Sequence, residues 1–175
     1  MGIYYFEKPL MFQKKKPIPI YNNEEEVIGE ISKAAAQIAF SKKQDIYTYH
    51  ASNNTENASV TLEIGWLGTE GATVVFHNLE DSSTIAFQEE LGNMEEALSI
   101  SGEWEGSSKK ILISQITKED PLVIYADDKE VAKIDQTNDK MKKFISIETA
   151  DKDPSLPVSL FILCYFIQKL LKEEF

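Results

Sequence analysis

Between Tyr4 and Thr149 the chain reads as short β-branched and aromatic runs separated by polar or glycine-containing turns, which is the pattern of strands. In "ASVTLEI", Val60, Leu62 and Ile64 alternate with Ser59, Thr61 and Glu63; in "LSISGEW", Leu98, Ile100 and Trp104 alternate with Ser99, Ser101 and Glu103. A period of two puts one row on each face of a sheet. Similar runs at 4–12, 18–22, 26–31, 37–41, 46–51, 72–78, 83–88, 110–116, 121–126, 130–135 and 142–149 raise the expectation to about a dozen strands. "GNMEEALS" is compatible with a helical turn without requiring one.

The pattern changes at "PSLPVSLFILCYFIQKLLKEEF". From Leu156 to Ile167 only Pro157 and Ser159 interrupt the apolar residues, and Gln168 and Lys169 precede Leu170 and Leu171. A bilayer-spanning helix needs about 20 apolar residues, whereas a run of about 10 to 14 is more typical of a buried core helix. The spacing predicts one helix over 155–172, with Asp153 or Ser155 as N-cap, Pro157 in the first turn and Lys169 and Lys172 at the negative end of the dipole. At 3.6 residues per turn, Val158 and Leu160 through Ile167 leave no face for water. A helix of this kind must be covered all round, and the covering material is the set of amphipathic strands upstream. A sheet closed around it does this and also removes exposed strand edges. The expected fold is therefore mainly β with one C-terminal helix, a closed antiparallel barrel of about twelve strands around a central hydrophobic helix, in a single domain over 1–175.

Laid on itself at an offset of 104, the chain places "PIPIYNNEEEV" (17–27) over "PLVIYADDKEV" (121–131), with Pro, Ile, Tyr, Glu and Val coinciding. Each copy reads as apolar strand, acidic turn, apolar strand, the signature of a β-hairpin. The two hairpins are either an internal duplication or convergence on a small strand-turn-strand alphabet.

The formal charge of -11 disfavours nucleic acid and anionic membranes as general partners. It suits a cytoplasmic protein or one with a basic partner. All 18 cationic side chains are lysine, so there is no arginine fork for bidentate phosphate recognition. The single cysteine, Cys164, lies in the apolar run, which excludes an intramolecular disulfide and favours a reducing compartment. The start, "MGIYYFEKPLMFQKKKP", has its lysines after the apolar residues, the reverse of a secretory signal, so the N-x-[ST] triplets at Asn53 and Asn57 mark only a polar loop.

The opening "YYFEKPLMFQKKKPIPIYNNEEEVIGEI", the hairpin "PLVIYADDKEVAKID" and the ending "FISIETADKDPSLPVSLFILCYFI" together resemble, in order and pattern, small bacterial members of the tubby C-terminal-like superfamily, which includes the LURP-one-related and phospholipid scramblase proteins. That resemblance implies a twelve-stranded barrel around a hydrophobic C-terminal helix. Between 32 and 110 it rests on generic strands alone.

Residues that would announce an enzyme are sparse. His50 and His77 sit singly in strand-like stretches, and there is no CxxC, so neither a metal site nor any other cofactor is expected. Cys164 is placed where desolvation opposes the thiolate. Pairs such as Asp127–Asp128 and Glu95–Glu96 read as solvated turns. "ADDKEVAKIDQTND" and "ETADKDPS" lack EF-hand spacing, and "GWLGTEGA" lacks the phosphate-loop Gly-Lys-Ser/Thr. The one local contrast is Lys14, Lys15 and Lys16 with Lys8 nearby, candidate ligand-binding residues for an anion or lipid headgroup. The headgroup reading follows from the superfamily resemblance. The same lysines also serve to keep a strand edge from pairing with other chains. Glu7 and Glu24 to Glu26 beside them predict weak attraction to anionic vesicles. The expected function is a non-enzymatic binding module that engages a protein or a small amphiphile through surface loops. The alternative is an acidic inhibitor, immunity or adaptor protein that neutralises a basic partner.

Overall fold

A computed structural model describes residues 2–9, 16–33, 37–39, 42–52, 56–65, 68–78, 84–89, 97–104, 106–117, 119–139, 142–150 and 156–171. Among these, the elements run β1 (Gly2–Glu7), β2 (Ile18–Asn22), β3 (Val27–Lys33), β4 (Gln37–Ala39), β5 (Lys42–Ala51), β6 (Glu56–Gly65), β7 (Gly68–Asn78), β8 (Thr84–Glu89), β9 (Ala97–Trp104), β10 (Ser107–Ser114), β11 (Leu122–Ala126), β12 (Lys129–Asp139), β13 (Lys142–Thr149) and α1 (Val158–Leu171). The protein is mainly β, with one C-terminal helix.

The strands form a single antiparallel sheet in the order β3-β2-β1-β13-β12-β11-β10-β9-β8-β7-β6-β5-β4. Apart from β1 against β13, each neighbour in this order is also the neighbour in sequence, as expected when short turns join antiparallel strands. The first and last long strands of the β region meet over six residue pairs, from Gly2 opposite Thr149 to Glu7 opposite Phe144. β3 pairs with β2 and, through Gly29 to Lys33, also with β5.

Apolar alternation located the strands but not their polar ends. β12 runs on through Gln136, Thr137 and Asn138 to Asp139, four residues beyond the hydrophobic run, because the β13 ladder holds it as far as Lys142. β10 begins at Ser107, opposite Trp104, across a tight turn in which Gly106 takes a φ of 75°. β1 ends at Glu7, short of the predicted 12, where Pro9 cannot donate to a ladder. Of "GNMEEALS", residues 97–99 belong to β9, and 92–96 lie outside the described residues. The side-chain directions expected for Val60, Leu62 and Ile64 likewise lie outside them.

The core is one cluster. It joins Phe6, Ile20, Ile31 and Tyr49 from the N-terminal strands, Ile111, Ile113, Ile124, Ile134, Ile145 and Ile147 from the C-terminal ones, and the helix from Leu160 to Ile167. Every residue of α1 from Ser159 to Gln168 is buried, so the expectation of a helix covered on all sides holds. Phe6 of β1 stacks on Phe166 at 5.8 Å between ring centroids and meets Tyr165 edge-on at 5.5 Å, while Tyr47 of β5 approaches Phe166 at 5.0 Å. The helix begins at Val158, directly after Pro157, whose carbonyl accepts from Leu160 N at 3.1 Å. Proline disfavours the α conformation in the residue before it, which explains why the helix does not extend back to 155. Asp153, Ser155 and Lys172 lie outside the described residues; Lys169 is in the last turn, where it complements the dipole.

Both hairpins of the repeat form. In β2–β3 the ladder shifts between Ile20 and Tyr21, and in β11–β12 between Ile124 and Tyr125, positions 104 residues apart. In each hairpin the isoleucine before the shift faces a small residue, Gly29 or Ala132, and the apolar residue two before it faces Ile31 or Ile134.

Candidate functional site

On the outer side of the sheet, one row of cross-strand neighbours runs Val27, Tyr21, Tyr5, Ser146, Asp135 across β3, β2, β1, β13 and β12. Directly paired residues share a face, so these side chains lie together, opposite the core-facing row of Phe6, Ile20 and Ile145. Tyr5 and Tyr21 stack at 5.3 Å with their planes 18° apart, and Phe144 stands edge-on to Tyr5 at 6.2 Å. Ile3, Tyr5, Asn23, Glu25, Thr137, Phe144 and Ser146 bound an open groove of about 540 Å³ over this row. The rings are half-buried, and Val27 leaves 49% of its surface to solvent. Sheet-borne rings are fixed at low entropic cost when a ligand arrives, unlike residues on a loop.

The β2–β3 turn overhangs one end of the groove and is held by its own first residue. Asn22 Oδ1 accepts from Glu24 N and Glu26 N, both at 2.9 Å, Asn22 Nδ2 donates to Glu26 Oε2 at 3.0 Å, and Glu25 N donates to Asn22 O at 3.1 Å. This is an Asx-type turn, the use for which asparagine is favoured there. It forces Glu25 to a φ of 62°. Glu24, Glu25 and Glu26 are exposed. No described lysine pairs with them. Their charge reaches the rings, since burial first, and the Glu25 carboxylate second, push the Tyr5 hydroxyl above its ordinary value. A surface made of π faces and unneutralised carboxylates attracts cations through both components.

Of the lysines singled out in the sequence, the described ones, Lys8 and Lys16, do not line this groove. Lys8 Nζ donates to Gln136 Oε1 at 2.8 Å, across to β12, and Lys8 N donates to Lys143 O. Lys16 is exposed just before β2, and Lys14 and Lys15 lie outside the described residues. His50 is exposed on β5, and the side chain of His77 lies outside the description. Burial drives the Cys164 thiol strongly upward, which leaves it protonated and inert. Among the described residues no three His, Cys, Asp or Glu side chains converge as metal ligands, and no helix is long and apolar enough to cross a membrane.

The groove went unpredicted although one of its signals was present. Tyr21 is among the identities of the internal repeat, and Ile3, Tyr5 and Glu7 alternate with the core residues Tyr4 and Phe6. What the sequence lacked was the pairing of β1 with β13, which brings Phe144 beside Tyr5 from 139 residues away. Comparison with protein families, with characterised proteins and with solved structures gives no match.

Proposed function

We propose that the chain is a non-enzymatic binding module of the tubby-like type, a closed barrel around α1 that holds the aromatic groove rigid and uses it to engage a basic, apolar-studded segment of a partner protein. Closure is supported by the second pairing of β3, with β5, and by the burial of the helix on every side. The observation that carries the function is the stacked Tyr5–Tyr21 pair with Phe144 beneath the exposed acidic turn. Aromatic side chains at the centre with a charged rim are the composition of a protein-binding patch. The -11 charge speeds encounter with a basic partner and repels acidic ones.

The test is fluorescence anisotropy with a labelled peptide of alternating lysine and leucine. Binding is expected to weaken as salt rises, and to fall at least tenfold in Tyr5→Ala, the cost of losing one central aromatic anchor. Replacing Glu24, Glu25 and Glu26 together by glutamine should weaken binding most at low salt and flatten its dependence on salt. Leu112→Ala, on the outer face of β10, serves as the control and should leave binding unchanged. A peptide that binds Tyr5→Ala as tightly as the parent, with thermal unfolding intact, would remove the groove from the reading.

A further inference from the structure

The groove takes its shape from the one small residue in the row beneath it. Across the strands the order is Val27, Tyr21, Tyr5, Ser146 and Asp135, three large side chains followed by a serine and a carboxylate. Tyr21 covers one face of the Tyr5 ring at 5.3 Å. On the other side the neighbour is Ser146, too short to cover a ring, and there the groove opens: Tyr5, Ser146, Phe144 and Thr137 line it, and Tyr21 does not. Phe144, diagonal to Tyr5 on β13 and edge-on to it at 6.2 Å, forms an end wall. Neighbouring strands lie about 4.8 Å apart, so about 10 Å separates the Tyr5 and Asp135 positions with only the serine side chain between them in the row. The stack begun by Tyr21 and Tyr5 is interrupted by one layer.

The charges around this gap do not cancel. Glu25 lines the groove from the turn, and Asp135 is exposed at the far end of the row, where its Oδ1 accepts from Gln136 N at 2.8 Å. The described lysines on this face of β12 and β13 are Lys133 and Lys142. Lys142 Nζ donates to Glu7 Oε2 at 3.3 Å, and Lys133 stands directly opposite Glu148 in the β12–β13 ladder. Lys8 and Lys143 alternate with Glu7 and Phe144 and so start from the other face, where the Lys8 ammonium donates to Gln136 Oε1. Each lysine of the face thus has a carboxylate of its own, and Glu25 and Asp135 remain without one among the described residues. The Tyr5 hydroxyl, raised by burial and then by Glu25, stays neutral and adds no charge.

We infer that the space over Ser146 is an arginine subsite, in which the guanidinium of an arginine in the partner segment forms the next layer of the Tyr21–Tyr5 stack, its N–H edge turned to Glu25 and Asp135 closing the far side. This deepens the function proposed above and rests on the groove being the partner surface. A plane laid against Tyr5 at about 3.5 to 4 Å lies over the serine and fills the missing layer. Guanidinium stacks on aromatic faces, is weakly hydrated and gives its N–H groups to carboxylates in a fixed fork. An ammonium is a strongly hydrated point charge. In a groove open to water it gains Coulomb attraction alone and leaves the layer unfilled, so the subsite distinguishes arginine from lysine at equal charge.

The experiment measures, by anisotropy on the full chain, the labelled lysine–leucine peptide beside the same peptide with arginine in place of every lysine and a third with citrulline, which keeps the plane and drops the charge. The arginine peptide should bind roughly threefold or more tighter than the lysine peptide, and the citrulline peptide weaker than both. Ser146→Val fills the gap and leaves every charge in place, so it should abolish the difference between the arginine and lysine peptides. An acidic surface that merely favours arginine would keep its preference in Ser146→Val, and that result overturns the inference. If Ser146→Val loses its melting transition, NMR of the bound arginine peptide decides: its δ-methylene protons should move upfield, as protons over a ring face do, and unmoved protons overturn the inference. Equal affinity for the two charged peptides in a parent that loses both on Tyr5→Ala removes the subsite and keeps the groove. Binding to Tyr5→Ala as tight as to the parent removes groove and subsite together.

Discussion

Ile20 opposite Gly29 in one hairpin and Ile124 opposite Ala132 in the other occupy corresponding ladder positions, and both isoleucines are fully buried in the core cluster. The outer faces of the two hairpins have little in common. Where β2–β3 shows Val27, Tyr21 and Tyr5 in a row, β11–β12 with β10 shows Glu130, Tyr125 and Leu112. The turns differ too. The second is a two-residue turn, Asp127 and Asp128 at φ of 47° and 65°, and it is tied to β10: Lys109 Nζ donates to Asp127 Oδ2 at 2.8 Å and Lys110 N donates to Asp127 Oδ1 at 3.2 Å. The first is one ladder step longer, is held by Asn22, and leaves its glutamates to solvent. Core-facing positions are constrained by packing in both hairpins, while solvent-facing positions record what each is used for. On that ground the proposed binding surface falls on the first hairpin, while the second is tied down by its bonds to β10.

The comparison can be broken most directly at its shared face. Ile20→Ala and Ile124→Ala should each destabilise by about 2 to 5 kcal/mol, the range for truncating a buried aliphatic side chain. Urea unfolding measures both. Costs that agree within about 1 kcal/mol would mean equivalent environments, and a near-zero cost at either position would end the equivalence. Next in size is the residue opposite. A Cβ on Gly29 would come within 2.5 Å of the Tyr49 hydroxyl and 2.6 Å of the His50 carbonyl oxygen, and one of those is backbone. Gly29→Ala should therefore cost about 1 to 3 kcal/mol. Ala132→Gly should cost about 1 kcal/mol, through lost packing and added chain entropy. The asymmetry arises because Tyr49, donating to Ile28 O at 3.3 Å, fills the space beneath the first hairpin.

Period-two alternation and the all-round apolar helix made the element types and the buried helix legible, since both depend on side chains that must leave water. β13 at Lys142–Thr149 and β2 at Ile18–Asn22 fall where alternation put them. The candidate site was less legible because each of its contributions is locally ordinary. Tyr5, Tyr21 and Phe144 each read as one residue of an amphipathic strand, and their common face exists only through the β1–β13 and β1–β2 ladders. The lysine cluster drew attention through charge contrast, yet Lys8 is engaged with Gln136 of β12.

The second turn offers a smaller effect with a pH signature. The Lys109 hydrogen bond, followed by that from Lys110 N, holds the Asp127 carboxyl below its ordinary value of 3.8. A depressed folded-state pKa contributes stability that is present above that ordinary value and is lost as pH falls through the depressed one. Asp127 is exposed enough for solvent screening to limit the effect, so Asp127→Asn should cost about 0.5 to 1 kcal/mol near neutrality. Asparagine tolerates the positive φ, so the loss isolates the charge. The difference between the variant and the parent should vanish in acid, as the parent's own carboxyl is protonated. A difference that persists unchanged to low pH would mean that the turn, and not the ion pair, had been damaged.

The smallest effect on stability, and the sharpest on the contrast between turns, is expected for Glu25→Gly. A side chain at a φ of 62° is strained by about 1 kcal/mol, and glycine removes that strain while adding a similar entropy cost in the unfolded chain. The net change should stay within about 0.5 kcal/mol. The readout that moves is Tyr5. Its hydroxyl is raised above 10.0 by burial and then by Glu25, so removing the carboxylate should bring it part of the way back, with burial holding the remainder. The shift is measurable by ultraviolet titration of the phenolate, with Tyr5→Phe to assign the signal. A group raised in the folded state contributes stability that is intact below its ordinary value and is lost as pH rises through the folded one, so the variant, with the smaller elevation, should lose less stability than the parent at high pH, over a window that opens at the same ordinary value and closes at a lower pH. An unchanged Tyr5 titration would separate the acidic turn from the rings electrostatically and leave the groove as an aromatic surface alone.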